Sequence, residues 1–289
     1  MDSKRTFGGI GPEYSGPDDS GICLLPVPYD GTSTWGKGSD RGFQAFLEAS
    51  ENLELYDIET DSEVYKQGIY IAPEILEKRS PEILYDTVYH RTKELLASGK
   101  FLTFLGGEHS VSIGIIDAFR EKYRDLTVLQ LDAHTDLRET YLGSPYNHAC
   151  AMHRASKTTN LIQVGIRSMD SSEKPFVDTG KCFLARDMAA SASWMERSLA
   201  LMTDHVYISL DLDVLDPSIF PATGTPEPGG MGWYDLLTYL KQVFSGKTVV
   251  GFDLVEFSPV PSLRAPDFLV AKLYYKMLSY KFADRHETG

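Results

Sequence analysis

The chain has 289 residues, 42% of them hydrophobic, which is ample for a sizeable core arranged as one large domain or two small ones. Its 28 basic and 41 acidic residues give a net charge of −13, and without a basic block this argues against nucleic acid or an anionic membrane as a partner. No run approaches membrane-spanning length, the N-terminal stretch lacks the apolar core of a signal peptide, and the three cysteines (Cys23, Cys150, Cys182) include no CxxC; together these fit reduced thiols in the cytoplasm.

In chain order, residues 1–20 are rich in Gly, Pro, Ser and Asp and predict a loosely attached arm. Residues 22–27 predict a strand that runs into a turn-rich loop, 28–38. A short helix is expected over 43–52, with short strands at 53–58 and 69–71. Ser80-Pro81-Glu82 supplies a cap and an early proline for a helix reaching 97, just before Gly99. A regular alternation follows: strand 101–105, helix 110–123, strand 126–131, helix 150–156, strands 161–164 and 182–184, helix 193–202. Strand 206–210, helix 234–244, strand 248–252 and a closing helix 267–280 complete it. This pattern predicts a parallel sheet covered on both faces. With no linker, repeat or low-complexity segment, one α/β domain is expected over 1–289.

In open α/β sheets, sites form in loops past the carboxyl ends of strands. Three predicted strands end in polar clusters: Gly106-Gly107-Glu108-His109-Ser110, Asp132-Ala133-His134-Thr135-Asp136, and Asp211-Leu212-Asp213. If the backbone stays extended, the alternate spacing points Asp132, His134 and Asp136 the same way, and likewise Asp211 and Asp213. Alone, each piece has an ordinary explanation: Asp-x-Asp as a cap or loop, His109 as a helix-start or core residue. Pooled, they are four carboxylates and two imidazoles, and burying such a set without counter-charge costs several kcal/mol or more per ion. Six ligands exceed one tetrahedral zinc. Two divalent ions would balance four negative charges, and oxygen-rich ligands with two imidazoles and no thiolate favour Mn²⁺ over Zn²⁺, with Mg²⁺ disfavoured by the histidines.

The blocks 106–110, 132–136 and 209–217 resemble the three metal-binding blocks of the ureohydrolases, the arginase and agmatinase family. Segments 27–33, Val164-Gly165-Ile166-Arg167 and 222–230 are similar to further blocks of that family, so the resemblance runs from about residue 26 to 271. It implies a three-layer α/β/α domain with a mainly parallel, doubly wound eight-stranded sheet, two Mn²⁺ per subunit, hydrolysis of a guanidinium group to urea, and a homo-oligomer (trimer or hexamer). It also implies His109, Asp136, Asp211 and Asp213 around one ion and Asp132, His134, Asp211 and Asp213 around the other. In the mechanism so implied, hydroxide generated at the ion pair attacks the guanidinium carbon, Asp136 hydrogen-bonds that hydroxide, and a loop histidine carries a proton to the departing amine. His148 matches that histidine, although the residues alone equally suit a helix start. Glu256 matches the glutamate that grips the guanidinium; the bland alternative is a solvated loop residue.

For the substrate, segment 137–148 lacks the Asn/Ser-rich stretch of arginases and looks like the Asp-Leu-Arg-x-x-Tyr-x-Gly form of agmatinase-like members. Agmatine, hydrolysed to putrescine and urea, is therefore the expected substrate, with arginine, guanidinobutyrate and N-aminopropylagmatine as alternatives. Phe43 and Asn147 depart from the family pattern, which carries proline and serine there, and Asn147 bears on substrate preference. Competing readings are a thiol enzyme with Cys150 as nucleophile beside His148, a metallophosphoesterase, and a catalytically silent metal-binding regulatory subunit.

Overall fold

The computed structural model describes residues 5–283. Eight strands form one all-parallel sheet: β1 (Ile22–Val27), β2 (Ile69–Ile71), β3 (Phe101–Gly106), β4 (Thr127–Leu131), β5 (Asn160–Ile166), β6 (Cys182–Leu184), β7 (His205–Asp211) and β8 (Thr248–Val255). Their order across the sheet is β2-β1-β3-β8-β7-β4-β5-β6. Strands β1 and β4 are buried at every position, as expected of a sheet covered on both faces. Successive β1 residues alternate between two apolar cores: Ile22 and Leu24 face one, Cys23, Leu25 and Val27 the other.

The first core is roofed by α1 (Gly42–Ser50), α6 (Trp194–Leu201), α7 (Trp233–Gly246) and α8 (Ala265–Phe282). The second is roofed by α2 (Pro81–Leu96), α3 (Val111–Lys122) and α4 (His153–Thr158). The remaining helix, α5 (Ala185–Ala190), follows β6 directly and was not anticipated. Helix α2 opens as expected, with Ser80 Oγ accepting from the Ile83 amide. None of the helices among the described residues is long and apolar enough to cross a membrane.

Two expectations fail. Residues 53–58 form no strand. The Asp57 carboxylate accepts from the amides of Glu59 and Thr60 at 3.0 Å, which curls the chain into a turn closed by one antiparallel bridge to Ser62. The described part of the 1–20 segment is also packed down: Phe7 is fully buried, its ring 5.1–6.0 Å from those of Phe46, Tyr274 and Tyr275.

Candidate active site

The sheet order sets β3, β8, β7 and β4 side by side, and the loops after these four neighbours carry the predicted site residues. Their carboxyl ends deliver Glu108 and His109, Glu256, Asp211 and Asp213, and Asp132 to Asp136 respectively. The extended geometry expected for 132–136 does not hold. Strand β4 stops at Leu131, the chain bends at Ala133, and Asp136 has a left-handed backbone with φ of 51°. Asp213 likewise sits in a 3-10 turn (Leu212–Val214), capped by Asp211 Oδ1, which accepts from the Asp213 amide at 2.8 Å. Turns rather than pleats bring the carboxylates together.

Asp132, Asp211 and Asp213 are each tethered through a backbone or side-chain donor. Asp132 accepts from the His134 amide at 2.6 Å and from Gln130 Nε2 at 2.7 Å, and Asp213 Oδ1 accepts from the Ala133 amide at 2.9 Å. His109 Nδ1 then lies 3.1 Å from Asp132 Oδ2, 3.1 Å from Asp136 Oδ2 and 3.3 Å from Asp211 Oδ2. His134 Nδ1 lies 2.8 Å from Asp213 Oδ2. Two overlapping groups that could hold a metal result, His109/Asp132/Asp211 and Asp132/His134/Asp213, which share Asp132.

The electrostatics fit a cation. Burial, then the charges of Asp213 and Asp136, push Asp132 up to about 7 from its ordinary 3.8, and burial with Asp213 and Asp132 pushes Asp211 well above that range. Burial would lower the two histidines, but the surrounding carboxylates outweigh it, raising His134 to about 11 and His109 well above 6.5. His109 Nδ1 is buried yet has no hydrogen-bond partner of good geometry. Its other nitrogen explains why. Ser209 Oγ donates to Asp253 Oδ1 at 2.9 Å, so at 3.0 Å it accepts from His109 Nε2–H, leaving Nδ1, once deprotonated, to offer its lone pair on the side of the carboxylates. An imidazole nitrogen beside three carboxylates is a donor set that could hold a metal.

Ser209 and Asp253 were not singled out from the sequence, nor were Gln130 and Gln163. Gln163 Nε2 donates to Gln130 Oε1 at 2.7 Å and to the Thr135 carbonyl at 2.9 Å, steadying the amide that holds Asp132. The available signal was a polar residue inside an otherwise apolar strand. Arg167 ties the neighbouring loops together, donating to the carbonyls of Asp213 at 2.6 Å, Glu227 at 2.8 Å and Gly165 at 3.1 Å.

Four members of the cluster, His134, Asp136, Asp211 and Asp213, line a cleft of about 260 Å³ together with Arg138, Tyr141, His148, Glu173 and Glu256. Glu256 follows β8 in a left-handed conformation (φ 64°), a backbone strain common at functional positions, and its Oε1 accepts from the His109 amide at 2.9 Å. Burial and Glu108 hold its carboxyl well above the usual range. His148 caps the far wall, where burial lowers its pKa, its Nδ1 lying 3.1 Å from Thr32 Oγ1. Arg138, the only Arg or Lys among the described lining residues, stacks 4.3 Å from the Tyr141 ring and faces Glu173 at 3.5 Å and Asp170 at 3.6 Å. Cys150 is buried and its thiol is pushed up to about 12 by burial, so it carries little thiolate near neutrality, contrary to a thiol nucleophile.

Fold and cluster together define an α/β protein organised around a carboxylate–imidazole centre. The chain belongs to the arginase family, the ureohydrolases acting on guanidino compounds, whose profile matches residues 20–279. It is 36% identical to the N(1)-aminopropylagmatine ureohydrolase of Synechocystis, over 91% of this chain and 89% of that protein. It is 30% identical to the agmatinase of Pyrococcus horikoshii, over 90% and 92%. The crystal structure of the agmatine ureohydrolase of Thermoplasma volcanium superposes with a TM-score of 0.86 at 28% identity, covering 97% of this chain and 95% of that one.

Proposed function

We propose that this protein releases urea from agmatine, leaving putrescine, with two Mn²⁺ ions held by His109, Asp132, His134, Asp136, Asp211 and Asp213. The observation that carries the reading is the cluster of four buried carboxylates with buried His109 and half-buried His134, part of which lines the same cleft as Glu256. Such an ion pair, when bound, offsets the carboxylate charge and makes a water nucleophilic near neutral pH.

The chain's own groups do the rest. Glu256, half-buried on the cleft wall with its carboxyl held well above the usual range, is a receptor for a planar guanidinium, whose paired N–H donors match a carboxylate. Asp136, on the cleft floor, is placed to accept a hydrogen bond from the attacking water. His148, lowered by burial, stands neutral with a ring edge on the cleft, where it takes a proton and returns it to the departing amine. Because Asp170 and Glu173 already face Arg138, the lining presents no spare cation for an α-carboxylate, and the wall suits a cationic tail. That favours agmatine over arginine and guanidinobutyrate.

N(1)-aminopropylagmatine is the second reading, supported by the name of the Synechocystis relative. The test is urea release from agmatine, N(1)-aminopropylagmatine and arginine in parallel, with and without Mn²⁺. Agmatine turned over fastest, and only with metal, supports the first reading. Preference for the aminopropyl compound moves the assignment to the second, and urea from arginine alone or from none of them overturns both.

A further inference from the structure

Glu108 belongs to none of the candidate ligand groups, yet it is fully buried beside them. All its partners are donors: the Thr32 amide at 3.2 Å, Thr32 Oγ1 at 2.8 Å, the Ser110 amide at 2.8 Å and Ser110 Oγ at 2.9 Å. Both its oxygens therefore act as acceptors, and the single hydroxyl proton of Thr32 is committed to Glu108. The lone pairs of Thr32 Oγ1 are left to accept, and two donors of His148 meet them, the backbone amide at 3.0 Å and ring Nδ1 at 3.1 Å.

We propose that Glu108 and Thr32 are positioning residues that set the tautomer of His148: the chain Glu108–Thr32–His148 keeps the proton on Nδ1 and presents Nε2 to the cleft as a bare acceptor. Without it, a neutral imidazole distributes its proton between both nitrogens, and molecules carrying it on Nε2 cannot accept there. The relay also joins three loops, those after β1 and β3 and the segment before α4, so the ring is held in orientation as well as in protonation. This inference rests on His148 being the proton carrier of the reading above.

Two measurements test it. Neutron diffraction from deuterium-exchanged crystals of the Mn²⁺-loaded protein locates the protons directly, and deuterium is expected on His148 Nδ1 and on Thr32 Oγ1 pointing at Glu108. Deuterium on Nε2 with Nδ1 bare overturns the proposal. In kinetics, Thr32→Val, which keeps the side-chain shape, is expected to lower kcat by about tenfold or more with KM within about twofold, while Thr32→Ser restores kcat to within about threefold. Undiminished kcat in Thr32→Val, or a loss in Thr32→Ser as large as in Thr32→Val, overturns it too. If the wild type releases urea from no guanidine, the functional reading fails, while the proton positions still decide the relay.

Discussion

At His109 Nδ1, burial and charge pull in opposite directions: the low-dielectric surroundings favour a neutral ring, and three carboxylate oxygens within 3.3 Å favour a charged one. The same contest runs through His134, raised to about 11 against 6.5, whereas at Asp132 burial and the neighbouring carboxylates act together and raise it to about 7 against an ordinary 3.8. In both cases the folded, metal-free protein binds more protons than the unfolded chain, so its stability falls as pH rises from about 4 to 7 for Asp132 and from about 6.5 to 11 for His134. A metal needs these groups deprotonated, and its affinity must therefore rise with pH. Melting temperatures recorded with and without Mn²⁺ between about pH 6 and pH 8 should show a metal-induced increase that grows with pH; a constant increment contradicts the proposed ligands. Asp132→Ala and Asp213→Ala should each lose bound metal and urea release together, read by elemental analysis beside the assay. Glu256→Gln should keep its metal and bind substrate poorly, and an empty centre in that variant would remove Glu256 from its assigned role.

At the scale of the element, strands and their terminal loops carried most of what could be read in advance. Strands β1, β2 and β6 fall on their expected residues because unbroken apolar runs bounded by turn residues have few other uses in a covered sheet. The segment 53–58 misled because one side chain, Asp57, captures the amides of Glu59 and Thr60 just beyond it and turns the chain back to a single bridge with Ser62. For the site, residue types and loop positions were legible, whereas the reasoning from extended backbone was not sound, since Asp136 adopts positive φ and Asp213 sits in a 3-10 turn. Their supporting partners, Ser209 and Asp253 above all, stayed hidden because an isolated polar residue in an apolar strand reveals its purpose only once the neighbouring strands are known. Gly107 shows how tightly these loops are drawn. Any Cβ there would stand 1.9 Å from the Tyr29 carbonyl oxygen, where Glu108 N donates at 2.8 Å. Gly107→Ala should displace the 106–110 loop and with it His109, cutting urea release and metal content at least tenfold while circular dichroism stays close to wild type; a fully active variant would show the loop to be looser than described.

Across the molecule, α8 is fastened to the chain following α1 by buried charge. Lys276 Nζ donates to Asp57 at 3.0 Å and to Glu59 at 2.6 Å, with Lys276 and Asp57 both nearly inaccessible to solvent. Removing the cation strands a buried carboxylate, so Lys276→Met should cost about 3 kcal/mol in urea denaturation, and a loss below about 1 kcal/mol would mean that the pair is solvated in practice. The sheet order has a consequence for how the protein is made. Strand β8 is the last to leave the ribosome, yet it lies between β3 and β7 and completes the union of the two sides of the sheet. Until residue 255 has emerged, His109, which follows β3, has nothing to hold it against the aspartates after β4 and β7, two strands that pair with each other directly. On the proposed reading, a nascent polypeptide halted before Thr248 would assemble the Asp132/His134/Asp213 group alone, and the group that needs His109 would wait for β8.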